Sequence, residues 1–309
     1  MEQNILLVGT GAVGSYYGAR LAQAGARVSV LCRSDYAIVK KKGIVINSIS
    51  GDYHFKPADV VRAIDEYRPD PDYIIVATKV LPEINIPDMI RKKVSPLTSI
   101  VLLQNGIDIE EPVASAFPEN ELISAIAFIS VSRPEYGTID HKDYGSIRIG
   151  RYPSGVSDKI ELLAGLFKKG GVPCEIENDI IAARWRKLMW NAPFNPISVL
   201  AGGADTREMT EFAPALILAR AVMEEVRTLA EKSGHHIPPS GIDKIFDDTR
   251  SMAPTRTSML QDYEQKRPME VEAILGNAIR IAQRLAVPVP HIDSLYGLLA
   301  LMDKKRRKS

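Results

Sequence analysis

The chain begins with an uninterrupted apolar run, Ile5, Leu6, Leu7 and Val8, closed by glycines at 9, 11 and 14. Apolar residues then recur at helical spacing over 15–24, Gly25 ends the pattern, and 28–31 is a second short apolar run. This predicts strand, tight turn, helix and strand, one βαβ unit of roughly 30 residues. Runs of the same kind follow at 73–77 and 99–103, and later strands are predicted at 122–132 and 145–150. The runs at 73–77 and 99–103 are apolar throughout, as in a parallel sheet covered on both faces. Beyond Pro173 the period changes. From Asp179, a suitable N-cap, helices are predicted over 180–191, 213–232, 239–248 and 269–285. The expected division is an α/β domain over 1–178 and an all-helical domain over 179–309.

The glycines carry the first chemical inference. In a βαβ unit, G-x-G-x-x-G gives Gly9 to the tight turn, Gly11 to close backbone approach by a pyrophosphate, and Gly14 to helix–strand contact. Thr10, Ala12 and Val13 fill the loop, and the helix start offers N–H groups and partial positive charge to phosphate. The first domain is therefore expected to be a Rossmann dinucleotide-binding domain. The second strand ends Leu31-Cys32-Arg33-Ser34, with no acid at Cys32 or Arg33 to hold a ribose 2′-hydroxyl. Arg33 suits a 2′-phosphate instead, so NADP(H) is favoured over NAD(H). Lys79 and Asn105 follow the third and fourth apolar strands, at the carboxyl edge where such sheets bind ligands.

In the helical half, Lys187, Asn191 and Asn195 are spaced by four and share a helix face. The plain alternative for such a stripe is a solvated surface. Pro193 and Pro196 are expected to disturb the helix and displace Asn195. Ser258 precedes 262–266, and Glu270 and Glu272 open the helix after Pro268, where carboxylates also suit the helix dipole. His141 lies between the two late strands and reads as structural.

Composition narrows the partners. The 309 residues are 45% hydrophobic and 25% charged, with a formal net charge of +1, so no global field points to nucleic acid. The longest basic run, Lys304-Lys305-Arg306-Arg307-Lys308, is expected to be a frayed, solvated tail. Two cysteines, Cys32 and Cys174, with no CxxC spacing, argue against a metal site and fit a reducing cytoplasm. No secretory leader or membrane span is expected from the apolar runs.

Taken together these motifs resemble the ketopantoate reductases (2-dehydropantoate 2-reductases), from Ile5 to about Pro290. The glycine stretch 9–18, Lys79, and Gln104-Asn105-Gly106 match the family form. The most specific match is W-x-K-x-x-x-N-x-x-x-N-P over Trp185, Lys187, Asn191, Asn195 and Pro196, followed by Ser258, Glu270 and Gly276 at the family spacing. The resemblance implies a Rossmann domain followed by a helical domain, with the site in the cleft between them. It implies that Lys187 is the general acid, giving a proton to the carbonyl oxygen as hydride reaches its carbon. Asn191, Asn195 and Ser258 would hold the carboxylate and hydroxyl groups of a 2-oxo acid. Glu270 would bond the reacting or a neighbouring hydroxyl, and Lys79 and Asn105 would lie between cofactor and substrate. The implied reaction is NADPH-dependent reduction of 2-dehydropantoate to (R)-pantoate, a precursor of pantothenate and coenzyme A. Departures at Ile107-Asp108, Val80-Leu81-Pro82, Pro193 and Leu275 leave a reductase of another branched 2-oxo acid open. A non-catalytic NADP(H) sensor is the alternative of another class, although a sensor has no need of Lys187. The family has monomers and dimers, and a homodimer through the helical domain stays open.

Overall fold

The computed structural model describes residues 2–307 and divides into two compact units. The first takes in the chain to Lys79, then Ile84–Gln104 and Glu110–Ile180. The second takes in Val80–Glu83, Asn105–Ile109 and the described chain from Ile181 onward. Two short straps, one after each of two strands, thus belong with the helices rather than with the sheet.

The first unit is built on one ten-stranded sheet. Its strands are β1 (Asn4–Val8), β2 (Arg27–Leu31), β3 (Ile44–Ser48), β4 (Tyr53–Phe55), β5 (Val60–Val61), β6 (Tyr73–Val76), β7 (Ser99–Leu103), β8 (Leu122–Glu135), β9 (Thr138–Arg151) and β10 (Cys174–Ile176). The order is β4-β3-β9-β8-β7-β6-β1-β2-β5, with β10 pairing β9. The six strands from β5 to β8 are parallel and follow the 3-2-1-4-5-6 order of a Rossmann sheet. The order reverses between β1 and β6, which pair Ile5 with Tyr73 through Val8 with Val76. Ligands of such sheets sit outside the carboxyl ends at this reversal.

The unbroken apolar strands are explained by burial on both faces: Ile5, Leu6, Leu7 and Val8 are all at 0% exposure. The late strands are longer than their apolar runs suggested. β8 and β9 form an antiparallel ribbon with register shifts near Phe128, Ser130 and Ser132. His141 lies within β9, buried at 3% exposure, with Nδ1 2.9 Å from Ser48 Oγ and its ring 4.5 Å from that of Tyr16. That is a structural histidine.

The second unit packs around one apolar cluster that includes Trp185, Leu188, Met189, Phe194, Val222, Val226, Leu275 and Leu299. Its longest helix, Ile180–Leu200, runs without a break through Pro193 and Pro196. The expected disturbance is absent, because tertiary packing holds these turns although each proline removes one N–H donor. The predicted helix over 269–285 is helical from 271 to 285 and contains a π turn at Glu272–Gly276 that leads into Asn277–Leu285. The basic run near the end also differs from expectation. Its described residues form the end of the Pro290–Arg306 helix, where cations suit the dipole. Arg307 pairs with Asp303 at 2.6 Å and Glu83 at 3.1 Å, while Lys308 lies outside the described residues. No helix among the described residues is long and apolar enough to cross a membrane.

Candidate active site

In the sheet unit, the turn after β1 is shaped by glycine. Gly9 takes φ +104, and a Cβ on it would lie 3.0 Å from the Thr78 backbone nitrogen. A Cβ on Gly14 would meet Gly9 O at 2.4 Å and Ala77 Cβ at 2.8 Å. The first helical turn is therefore pressed onto the loops that end β1 and β6. Gly11 is different, because a Cβ there would meet nothing within 4 Å. The helix Ala12–Gln23 begins at Gly11 with no side-chain cap and no acid in its first turn. Open space above an uncapped helix start fits a pyrophosphate.

Thr10 Oγ1 donates to Asp35 Oδ2 at 2.7 Å, so its side chain pins the turn. Arg133 Nη1 lies 3.5 Å from both Asp35 Oδ2 and Thr10 O. Asp35 is 2% exposed and turned inward, so this acid is not presented at the end of β2. Arg33 is exposed there. The Cys32 N–H donates to Val61 O at 3.0 Å, which brings the end of β5 and Arg62 alongside. The Arg62 guanidinium lies 4.4 Å from the Tyr36 ring centre, and Lys40 Nζ lies 5.0 Å from it. Arg33, Arg62 and Lys40 thus gather positive charge at this edge. Burial first, then nearby Asp35, pushes the Cys32 thiol up to about 11, so it stays protonated. Lys79 is half-buried and ends the stretch after β6, and Gln104 Nε2 ties β7 to β6 through Thr78 O at 2.7 Å.

In the helical unit, the π turn organises the second cluster. Asn277 N–H reaches back to Glu272 O, and Ala273 O accepts the N–H of Ile107 at 3.1 Å. Asn277 Nδ2 donates to Ile107 O at 2.6 Å. Ile107 itself is 2% exposed within the helical core, and Asp108, at φ +57, pairs with Arg284 at 2.7 Å. The strap Asn105–Ile109 is thereby seated on the π turn, a feature frequent at functional sites.

The seating presents Asn105 to two charged groups. Lys187 Nζ donates to Asn105 Oδ1 at 2.7 Å, and Asn105 Nδ2 donates to Glu270 Oε2 at 3.4 Å. The other oxygen, Glu270 Oε1, accepts the Val80 N–H at 2.9 Å. Arg184, one turn before Lys187, donates to Gly106 O at 3.2 Å. Gly106, Arg184, Lys187, Leu188 and Asn191 line one hollow. The Lys187 ammonium is brought down to about 8, first by desolvation and then by Arg184, against the opposing pull of Glu270. A half-buried lysine poised near neutrality, hydrogen-bonded to an amide and within reach of a carboxylate, is equipped to give up a proton.

Residues 5–154 match the model for ketopantoate reductase PanE/ApbA, and residues 179–303 match the model for its C-terminal part. A 2-dehydropantoate 2-reductase of Nostoc sp. is 34% identical over 311 residues, spanning 99% of this chain and 97% of its own length. The chain belongs to the ketopantoate reductase family. The crystal structure of 2-dehydropantoate 2-reductase from Methylococcus capsulatus matches with a TM-score of 0.93 and 46% identity, covering 99% of this chain and 98% of that one. The enzyme from Geobacter metallireducens GS-15 matches at 0.91 and 32%, covering 97% and 99%.

Within this family fold, the structure brings Lys187, Asn105 and Glu270 into one bonded chain and sets Asn191, 7% exposed, beside them. Asn195 is at 0% exposure, and neither of its amide atoms has a hydrogen-bond partner among the described residues. The stripe is therefore no solvated face; it deepens from Lys187 toward the core. Ser258 is exposed at the start of the Ser258–Glu264 helix, where Thr257 makes the cap. Among the described residues no group of three His, Cys, Asp or Glu side chains is placed to hold a metal. Arg184, Arg62, Arg133 and the Val80 N–H join the candidate residues only in the structure. Arg184 had a signal, its place three residues before Lys187. The others become neighbours only through strand pairing and strap packing.

Proposed function

We propose that the chain is an NADPH-dependent reductase that converts 2-dehydropantoate to (R)-pantoate, with Lys187 as general acid. The observation that carries this reading is the Lys187 ammonium, held on Asn105 at 2.7 Å and brought to about 8. Bound NADPH would supply the hydride. The glycine turn over 9–14, with open space above Gly11, suits its pyrophosphate, and exposed Arg33 beside Arg62 suits its 2′-phosphate. Lys79, at the carboxyl edge of the sheet, offers a further cation.

As charge develops on the substrate's carbonyl oxygen, Lys187 Nζ gives it a proton and is left as the neutral amine, which solvent reprotonates. Asn105 holds the donor's direction, and Glu270 favours its charged form until the oxygen competes for the proton. Asn191 binds the substrate's polar end. Asn195, with its two unsatisfied amide atoms, and Ser258 hold its carboxylate and hydroxyl groups. The first unit serves the cofactor and the second the substrate. Protonated, buried thiols at Cys32 and Cys174 suit a reducing cytoplasm.

The test is loss of NADPH absorbance with ketopantoate for the wild type and Lys187→Ala in parallel. A fall in kcat of about 100-fold or more, with NADPH binding unchanged, supports the reading. Turnover only on other branched 2-oxo acids replaces the substrate. NADPH binding with no turnover on any 2-oxo acid makes the chain a sensor.

A further inference from the structure

The helix face that carries Lys187 carries a second cation. Arg184 is 3% exposed, and at a spacing of three its side chain neighbours that of Lys187. Its Nη1 donates to Gly106 O at 3.2 Å. Gly106 directly follows Asn105, the residue that accepts from Lys187. Gly106 takes φ +109, and a Cβ there would meet Ala273 O at 2.6 Å and Ala273 Cβ at 2.8 Å. The turn is therefore gripped from two sides, by the π turn and by Arg184. A neutral donor would satisfy the Gly106 carbonyl equally well. A guanidinium in this place also sets a permanent charge near the ammonium, and like charges in a desolvated site favour release of the proton that can leave.

We propose that Arg184 is a positioning residue for the proton donor: it holds the Asn105–Gly106 turn to the helix face of Lys187 and sets a second positive charge beside the ammonium. This rests on the reading of Lys187 as general acid. The charged groups acting on Lys187 are Arg184 from its own helix and Glu270 from the segment packed against it, and they act in opposite directions. Arg184 thus offsets Glu270, which otherwise holds the proton on the lysine.

The experiment compares wild type, Arg184→Met and Arg184→Lys in two readouts. One is the pH profile of kcat/KM for ketopantoate. The other is the titration of Lys187 in the free protein, followed by NMR after reductive ¹³C-methylation and identified by the signal lost in Lys187→Arg. In Arg184→Met both the alkaline limb and the Lys187 titration move to higher pH, by about half a pH unit or more. kcat falls about tenfold, with a smaller change in KM. Arg184→Lys keeps the charge and leaves the titration near that of wild type. If Arg184→Met is folded by its thermal transition and titrates as wild type does, the inference is overturned. If wild type does not reduce ketopantoate, the substrate reading fails instead, and if Lys187→Ala retains the activity, the general-acid reading fails. The NMR titration then still decides whether Arg184 acts on Lys187.

Discussion

The turn after β1 and the cluster around Lys187 solve their problems in opposite ways. The turn is local: six consecutive residues make the tight bend, the open approach and the uncapped helix start, and the glycines at 9 and 14 are enforced by contacts below 3.1 Å. The lysine cluster is assembled: Val80, Asn105, Arg184, Lys187 and Glu270 come from four separate stretches of chain, joined by hydrogen bonds of 2.7 to 3.4 Å. A backbone cradle depends on steric fit, and one added methyl group ruins it. A side-chain cluster depends on charge balance, and single substitutions retune it.

The largest effect is expected at the cradle. Gly14→Val drives side-chain atoms into Gly9 O and Ala77 Cβ, already 2.4 and 2.8 Å from a single added Cβ. NADPH affinity, read by fluorescence quenching, falls by about 100-fold or more, and stability falls by about 1–3 kcal/mol. Near-normal binding in this variant breaks the claim that the turn is sterically fixed. Arg33→Ala leaves the cradle intact and removes one charged partner. It weakens NADPH binding by about 10- to 100-fold and NADH binding by less than about twofold. Equal losses for both nucleotides place Arg33 away from the 2′-phosphate. The smallest effect is a retuning. Glu270→Gln removes the charge that raises the Lys187 pKa, so the alkaline limb of kcat/KM moves to lower pH and kcat falls by about tenfold. A limb that stays in place shows that Glu270 does not act on the donor.

The same contrast explains what the sequence made legible. The Rossmann half could be read because its signals are contiguous: apolar strand, glycine spacing, helix. Its small outer strands β3, β4 and β5 were missed, since two to five residues with polar neighbours carry no clear period. The Lys187 helix was legible as a pattern of spacing four, but its prolines were misjudged because packing overrides local propensity. The π turn at Glu272–Gly276 leaves no periodic signature in so short a span, and with it the seating of Asn105 was out of reach. The buried state of Asn195 and the pairing of Arg184 with Gly106 depend on tertiary neighbours alone.

Whether Lys187 gives the proton is decided by the pH dependence of kcat/KM for NADPH-driven reduction of ketopantoate. A general acid with its pKa near 8 predicts a level profile on the acid side and a tenfold fall per pH unit above about pH 8. The limb should be absent from the residual activity of Lys187→Ala. A profile that stays level to about pH 10, or a limb that survives unchanged in Lys187→Ala, rules out Lys187 as the proton donor.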